Sequence, residues 1–225
     1  MNKSFTLEKS NDTRQQIIDV AKTIILGKGF SAVGLNEILT SASVPKGSFY
    51  HYFTSKEAFG NALLSDYFDD YITRLNKDLQ QPNLLPAQRL RAYFSNWLET
   101  QSSDTTQDKC LVVKLSAEVT DLSESMRATL QLGTQKVIHL LQACVQEAID
   151  SNTINNHEPA ETIAQELYYM WLGATLMTKV QHTRNALECA MRATEKRLNL
   201  QIAPRVSHLK DFSLSQQKVI YLAKS

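Results

Sequence analysis

The chain has 225 residues and a formal net charge of +1, with seven glycines, five prolines and three cysteines. A chain of this length buries a substantial core, and so few glycines and prolines leave long stretches free of helix breakers, so we expect an all-α fold. It contains no apolar run of about 18 residues and no apolar block in its first ten residues, which argues against a membrane span and a secretion signal and favours a cytoplasmic location. The small net charge does not by itself indicate a nucleic-acid-binding protein.

Two short helices are predicted before residue 42. Thr13 and Gln16 have the spacing of a capping box, so the first helix is expected to begin near Thr13. Its apolar stripe is Ile17, Val20, Ala21 and Ile24, followed by Gly27 and Gly29 as stop signals. A second amphipathic helix is indicated by the i, i+3, i+4 spacing of Leu35, Ile38 and Leu39.

The segment Lys46 to Phe53 predicts a third helix with two different faces. Pro45 suits a helix start, because its missing N–H has no intrahelical partner there. At helical periodicity the aromatic side chains Phe49, Tyr52 and Phe53 fall in one arc and can enter a core. The opposite arc carries Lys46, Gly47, Tyr50 and His51, with Ser48 at its margin. Eight helical residues extend about 12 Å, which suits a major groove of about 12 Å width.

The three helices therefore predict a helix-turn-helix domain whose third helix enters the DNA groove. The residues predicted to contact DNA are Thr13, Arg14, Lys46, Gly47, Ser48, Tyr50, His51 and Lys56. Lys46 and His51 offer donors, Gly47 permits close backbone approach, and Lys56 is expected beside the free N–H groups of the next helix. Thr13 and Arg14 are expected to contact phosphate in the same way as Lys56, beside the free N–H groups at the start of the first helix. The alternative is that Tyr50 and His51 are ordinary surface residues.

The segment Val44 to Glu57, with the sequence VPKGSFYHYFTSKE, resembles the recognition-helix signature of the TetR family of transcriptional regulators. Gly29-Phe30 and Asn36-Glu37-Ile38 also fit that family. The departure is Pro45, where many members have serine. The resemblance implies a homodimer that binds palindromic operator DNA through an N-terminal domain, and a C-terminal helical body that binds an inducer.

We predict three regions from this pattern: a DNA-binding domain over residues 1–56, a regulatory and dimerisation domain over 57–202, and a tail over 203–225 of unknown structure. A long connecting helix is expected from Ser55 to Gln81. The further predicted helices are Pro86 to Thr100, Lys109 to Thr120, Ser123 to Ile149, Pro159 to Gln181 and Asn185 to Leu200. In the last of these helices, one stripe contains Leu187, Ala190, Met191, Thr194 and Leu198. We favour a subunit interface for this stripe over the internal core.

The three cysteines differ in their surroundings. Cys144 lies on an apolar stripe and is expected to be a buried hydrophobic residue, whereas Cys189 is exposed or packed on a neighbouring helix. Cys110 follows Asp108, a possible N-cap, and is expected in the first turn of a helix near Lys109 and Lys114. A helix N-terminus and nearby cations favour the reactive thiolate. The alternative is a cysteine that only covers a helix end.

The segment Cys110 to Val119, continued by Asp121 to Glu124, resembles an electrophile- and redox-sensing branch of the TetR family. The resemblance continues into Trp171-Leu172-Gly173-Ala174 and Lys179, and covers residues 12–190. It implies that quinones, aldehydes or reactive chlorine modify Cys110 and release the repressor from DNA. Lys179 follows an apolar run that would make it nucleophilic enough to attack oxidised sulfur, or it is a lysine that extends to solvent at a helix end.

Two other functions remain open on sequence grounds. The first is a repressor with a noncovalent inducer, whose pocket is lined by Tyr93, Phe94, Trp97 and Trp171. The second is a thiol-dependent enzyme that uses Cys110, which we disfavour because no histidine and acid partner accompanies this cysteine. The histidines His139, His157, His182 and His208 are dispersed, so neither a metal site nor a cofactor is expected.

Overall fold

The computed structural model describes residues 2–103 and 110–199, and the elements in these ranges are helices without any β-strand. The helices are α1 (Asn2–Lys28), α2 (Leu35–Ser41), α3 (Lys46–Tyr52), α4 (Lys56–Leu79), α5 (Pro86–Ser102), α6 (Leu111–Leu122), α7 (Glu124–Asp150), α8 (Ala160–Gln181) and α9 (Asn185–Arg197). The all-α prediction is confirmed. Residues 203–225, Asp108 and Lys109, about which the sequence made predictions, lie outside the described residues.

The first helix begins at Asn2, so the predicted start near Thr13 is wrong. The segment before Thr13 contains neither glycine nor proline, and nothing in it prevents the helix from extending toward the N-terminus. The capping-box spacing of Thr13 and Gln16 therefore falls inside a helix. The predicted end is confirmed, since α1 ends at Lys28 and Gly29 follows with a positive φ of 94°.

The helices α1, α2 and α3 enclose a small core that also includes the start of α4. The fully or nearly fully buried side chains in it include Ile17, Ile18, Ala21, Ile25, Phe30, Val33, Ile38, Leu39, Phe49, Phe53 and Phe59. The turn between α2 and α3 is tight, with Ser43 in the left-handed region and the Val44 N–H donating to the Leu39 carbonyl at 2.9 Å. Pro45 then directly precedes α3 in an extended conformation. This arrangement is a helix-turn-helix.

Two serine caps fix the starts of the long helices. The Ser55 hydroxyl accepts the N–H of Ala58 at 3.0 Å at the start of α4, and Ser123 accepts that of Met126 at 3.2 Å at the start of α7. Side-chain oxygens at this position satisfy backbone donors that have no partner within the helix. The predicted starts near Ser55 and Ser123 are confirmed.

The body is organised around α7, which packs against α4, α5, α6 and α8. Where α4 meets α7, Gly133 faces the ring of Phe68 so closely that a Cβ at Gly133 would lie 2.2 Å from that ring. The absent side chain of Gly133 thus sets the distance between these helices. None of the described helices is long and apolar enough to span a bilayer.

The predicted interface stripe on α9 is instead internal core, so that prediction is wrong. Leu187, Ala190, Thr194 and Leu198 are all at most 3% exposed, and the Trp171 indole N–H donates to the Thr194 hydroxyl at 2.9 Å. The stripe faces α8 of the same chain. Its periodicity alone does not distinguish burial within the chain from burial between two chains.

Candidate functional site

The helix α3 presents the predicted exposed face. Lys46, Gly47, Tyr50 and His51 are exposed, with Tyr50 at 56%, and Ser48 is half-buried. A large aromatic side chain that is more than half exposed, beside a lysine and a histidine, is available for contact with a partner. The described structure therefore leaves this face of α3 free of the protein core.

The opposite face of α3 is anchored by an aromatic cluster. Phe49 is fully buried, and its ring centroid lies 5.1 Å from that of Phe53 and 5.6 Å from that of Phe59. Phe53 and Phe59 are themselves 5.1 Å apart in an edge-to-face arrangement. Such aromatic pairs add to the free energy of burial and fix ring orientation. Because Phe59 belongs to α4, the cluster fastens α3 to the start of the connecting helix.

The other predicted DNA contacts lie in different surroundings. Thr13 and Arg14 are in the interior of α1, so the argument that they stand at a helix N-terminus is wrong, and Arg14 lies over the Phe53 ring at 5.3 Å. Lys56 is half-buried, donates to the Val33 carbonyl at 2.9 Å and lies 5.0 Å from the centre of the Phe30 ring. Arg14 and Lys56 thus pack against aromatic rings of the small domain. Contact of Thr13, Arg14 and Lys56 with DNA stays a prediction.

Cys110 occupies the N-cap position of α6 and therefore lies directly before the first turn, in which it was expected. Its backbone N–H donates to the side-chain oxygen of Gln101 at 2.9 Å, which links the end of α5 to the start of α6. The side chain is buried, with 9% exposure. Lys114, the predicted neighbouring cation, instead donates to the Gly27 carbonyl at 3.3 Å.

Burial raises the pKa of the Cys110 thiol, and this is the largest influence on it. The N–H groups of Val113 and Val112, the Tyr67 hydroxyl and the charge of Lys179 act in the opposite direction but do not cancel it. Of the two alternatives that the sequence leaves open, this pKa direction counts against a resting thiolate, because desolvation outweighs the helix N-terminus. Lys179, in the last turn of α8, is close enough for its charge to act on this sulfur.

A cavity of about 280 Å³ opens beside the Cys110 side chain. It is lined by Tyr67, Tyr71, Arg74, Leu75, Asp78, Tyr93, Asn96, Trp97, Thr100, Gln101 and Cys110. Tyr93 and Trp97 thus line it as predicted, but Phe94 and Trp171 do not. Those two rings stack at 5.0 Å and are fully buried, so they form core.

The helix α6, which follows Cys110, contacts the helix-turn-helix domain directly. Glu118 on α6 accepts the backbone N–H of Phe30 at 3.0 Å and also that of Ser31. Both donors lie in the loop after α1, where the positive φ of Gly29 turns the chain. Together with the contact between Lys114 and Gly27, α6 binds the α1 end of the domain at two points.

Two independent regions of the chain match family descriptions. Residues 17–63 match "Bacterial regulatory proteins, tetR family", and residues 86–194 match "Tetracyclin repressor-like, C-terminal domain". The chain is 41% identical over 182 residues to the HTH-type transcriptional repressor NemR of Escherichia coli (strain K12), covering 80% of this chain and 91% of NemR. It belongs to the TetR family.

Other TetR-family relatives and a solved structure agree. The HTH-type transcriptional repressor DhaR of Mycobacterium sp. (strain GP1) is 30% identical over 175 residues, which cover 78% of this chain and 86% of DhaR. The crystal structure of the reduced form of E. coli NemR has a TM-score of 0.79 and 39% sequence identity, and covers 82% of this chain and 96% of the NemR chain. The predicted resemblance to the TetR family is confirmed, and NemR is one of the relatives.

Sequence reasoning missed three features of this TetR-family body. Tyr67 and Tyr71 lie one turn apart on α4 and stack at 5.9 Å, a spacing that is visible in the sequence. The sequence contains no pattern that indicates the role of Glu118, because its hydrogen-bond donors are backbone N–H groups 87 and 88 residues earlier in the chain. The third feature is an exposed apolar face on α8. It consists of Tyr169 (59% exposed), Leu176 (50%), Met177 (39%) and Val180 (64%), with exposed Gly173 between them.

Proposed function

We propose that the protein is a homodimeric transcriptional repressor that binds palindromic operator DNA through α3 and releases it when a reactive electrophile or oxidant modifies Cys110. The observation that carries the proposal is that Cys110 directly precedes α6 and that this helix carries, eight residues after Cys110, the carboxylate that binds the helix-turn-helix domain. The inducer classes are quinones, aldehydes and reactive chlorine. The likeness to NemR supports redox sensing, because one NemR structure was solved in its reduced form.

The coupling follows from burial of the sulfur. A group added to Cys110 enlarges a buried side chain at the residue before α6. The cavity takes up part of the added volume, but on the packed side of the sulfur, at Tyr67 and the N–H groups of Val112 and Val113, elements move instead of compressing. A helix of 12 residues moves as a rigid rod, so a shift at Cys110 is felt at Lys114 and Glu118. Their bonds to the α1 end then break or move. The two α3 helices of the dimer lose the common spacing that two half-sites on one DNA face require.

For an oxidant the chemistry involves Lys179. Hypochlorous acid oxidises the thiol to a sulfenic acid and is itself reduced, with chloride and a proton as products. Lys179 first loses a proton to solvent, and its amine then attacks the sulfur, so that an S–N bond forms, the S–O bond breaks and water leaves. The effect of the Lys179 charge on the Cys110 thiol supports their proximity in this step. The α6 start would be covalently joined to the end of α8.

The proposed function is tested with operator DNA selected from random duplexes by the reduced protein. We expect a Kd of about 10 nM or below that weakens steeply with salt, as phosphate contacts require. After treatment with N-ethylmaleimide, mass spectrometry should show Cys110 alkylated and fluorescence anisotropy should show the DNA released. Full alkylation of Cys110 with unchanged affinity would contradict the proposal.

The cavity beside Cys110 supports a second candidate, a TetR-family repressor with a noncovalent inducer. Tyr93 and Trp97 would then bind the inducer without reaction at the sulfur. The two candidates differ in reversibility. A noncovalent inducer is removed by dilution alone, whereas an oxidised cysteine needs a thiol reductant and an alkylated one recovers under neither treatment.

Removing the Glu118 carboxylate is expected to uncouple sensing from DNA release. The Glu118→Ala protein should bind operator DNA about 5- to 10-fold more weakly, because the loop after α1 loses two hydrogen bonds to a charged acceptor. Alkylation of Cys110 should then cost less than about 3-fold further affinity, whereas it costs the unsubstituted protein at least about 10-fold. A cycle of four Kd values, with and without the substitution and the alkylation, measures this coupling.

Asp121→Ala provides the matched control for this cycle, since Asp121 is an exposed acid on the same helix α6. It should leave both Kd values within about 2-fold. Strictly additive effects of Glu118→Ala and of alkylation on the Kd would show that Glu118 does not couple Cys110 to DNA binding.

The exposed apolar face of α8 is assigned to the dimer interface. Leu176→Arg places a charge in its middle and should give a particle of 25.4 kDa, instead of one twice that mass, by light scattering. Because Leu176 is half exposed in one protomer, the helical content should be retained. DNA affinity should fall by about 100-fold or more, since two linked half-site contacts become one.

Leu132→Arg is the control, because Leu132 is 60% exposed but lies on α7. It should leave the mass and the DNA affinity unchanged. A dimeric Leu176→Arg protein with full DNA affinity would place the interface elsewhere.

A further inference from the structure

The helix α1 of the helix-turn-helix domain is bound to α4 by an ion cluster of Lys22, Asp66 and Asp70. Lys22 on α1 forms an ion pair with Asp66 and a second one, at 3.3 Å, with Asp70. The two acids are four residues apart on α4, so their carboxylates lie on the same face of that helix. The Gln15 side chain on α1 also donates to Asp66 at 3.1 Å. One lysine of the DNA-binding domain thus contacts two successive turns of the connecting helix.

The central ion pair of this cluster is largely shielded from solvent. The side chain of Lys22 is 19% exposed and that of Asp66 is 20% exposed. Burial lowers the pKa of Lys22, but its hydrogen bonds and charge interactions with Asp66 and Asp70 raise this pKa by more, so the ammonium stays charged. Salt screens such a pair less than it screens charges on the surface. The ion cluster therefore persists at the salt concentrations at which DNA binding is measured.

The helices α1 and α4 are not closely packed beside the ion cluster. A cavity of about 310 Å³ lies there, lined by Thr23 and Leu26 on α1, Arg74 on α4 and Leu111 on α6 as well as by members of the cluster. Close-packed side chains would restrict two helices to one arrangement, whereas this space leaves room for α1 to tilt. The angle between α1 and α4 therefore depends here on the ion cluster more than on the fit of apolar side chains.

The ion cluster is the second of two attachments between the DNA-binding domain and α4. The first is the aromatic cluster of Phe49, Phe53 and Phe59, which fastens the domain to the start of α4. Asp66 lies seven residues after Phe59, about 10 Å further along the helix. A rigid domain held at one point can still tilt, and a second point at this distance removes that freedom. The contact of Glu118 joins the domain to α6 and not to α4.

We propose that Lys22, through Asp66 and Asp70, sets the spacing of operator half-sites that the dimer accepts. In a dimer, the tilt of each DNA-binding domain on α4 determines the distance between the two α3 helices. Each base pair adds about 3.4 Å to the separation of two half-sites, so a shift of about 1.7 Å in each domain corresponds to one base pair. Lys22 is then a positioning residue that acts through α3. The inference rests on the homodimer and palindromic operator of the proposed function.

The test uses full-length reduced protein and five operators. One is the palindrome that the unsubstituted protein selects, and the others have one or two base pairs inserted or removed at its centre. Fluorescence anisotropy gives a Kd for each. For the unsubstituted protein we expect a change of one base pair to cost at least about 10-fold in affinity, because both half-sites can no longer be bound together.

Lys22→Met keeps most of the length of the side chain and removes its charge. We expect the cost of one base pair to fall below about 3-fold, or the best spacing to shift by one base pair, because the domains can tilt to follow the half-sites. Affinity at the best spacing should stay within about 5-fold of the unsubstituted value, since the DNA-contacting face of α3 is unchanged. Asp70→Asn should change the spacing profile in the same direction by less. Asp70 is 59% exposed, so this variant serves if Lys22→Met does not fold, as judged by circular dichroism.

Two further variants are controls for the loss of a lysine on α1. Lys22→Arg retains the charge and should retain the spacing profile. Lys28→Met removes the lysine of another ion pair of α1, but its partner Glu37 belongs to α2 of the same domain. The affinity of Lys28→Met for all five operators may only change by one common factor if the inference holds.

An equal loss of affinity at every spacing in Lys22→Met would show that Lys22 only stabilises the fold, and would overturn the inference. A spacing profile that Lys22→Met and Asp70→Asn leave sharp and unshifted would overturn it as well, with the proposed function intact. An unsubstituted protein that binds a single half-site as tightly as the palindrome would instead contradict the dimeric repressor of the proposed function. The two proposals are therefore distinguished by whether the unsubstituted or the substituted protein gives the unexpected profile.

Discussion

Cys110→Ser is expected to bind operator DNA within about 3-fold of the unsubstituted affinity and to keep that affinity after treatment with N-ethylmaleimide or hypochlorous acid. Serine is slightly smaller than cysteine and can occupy the same N-cap position, where it is a favoured residue. The backbone N–H of residue 110 can still donate to Gln101, so the α5 to α6 connection is retained. The hydroxyl does not react with these reagents. Fluorescence anisotropy of labelled DNA, before and after treatment, measures the outcome.

The other cysteines provide controls for this experiment. Cys144 is buried, its sulfur lies 3.6 Å from the Pro86 carbonyl oxygen, and burial raises its pKa to about 12, so it should react slowly. Cys189 is exposed on α9 and should react, but it lies far in sequence from the helix that contacts the DNA-binding domain. Cys144→Ser and Cys189→Ser should therefore release DNA like the unsubstituted protein. Release from Cys110→Ser that equals theirs would refute the cysteine switch.

What the sequence predicted well depends on local pattern. The two faces of α3 follow from the positions of Phe49 and Tyr50 on a helix of known pitch, and both faces are found as expected. The starts of α4 and α7 follow from Ser55 and Ser123, whose side chains satisfy N–H groups only a few residues away. Interactions within one turn of helix can be predicted from the sequence, because both partners lie within a few residues of each other.

What the sequence did not predict depends on tertiary packing. A helix N-terminus and lysines near it in sequence predict a reactive Cys110, but burial has the largest influence on the pKa of its thiol. The stripe on α9 has the period of a packed face, but the period does not say which element covers it. The hydrogen bond from Trp171 to Thr194 shows that this element is α8 of the same chain. The role of Glu118 also depends on tertiary packing, because its carboxylate accepts a hydrogen bond from a backbone N–H of Phe30, far earlier in the chain.

The exposed face of α3 is expected to account for most of the DNA affinity. Tyr50→Ala and His51→Ala remove exposed groups that can reach phosphates or base edges, and each change occurs in both subunits of the dimer. We expect each to weaken operator binding on the order of 10- to 100-fold, the range expected when two contacts are lost together. Thermal unfolding should be nearly unchanged, because both side chains are exposed and Phe49, Phe53 and Phe59 still hold α3 on α4.

Lys46→Ala tests the charge at the start of the same face. If Lys46 contacts one phosphate in each half-site, the slope of log K against log salt should become shallower by about 2 for the dimer, since each lost contact contributes about 0.9. Lys77→Ala is the control, because Lys77 is exposed in the last turn of α4, about 30 Å along the helix from Lys56. It should leave the slope unchanged. A Lys46→Ala protein with an unaltered slope would remove Lys46 from the DNA contact and place the binding surface on another face of the domain.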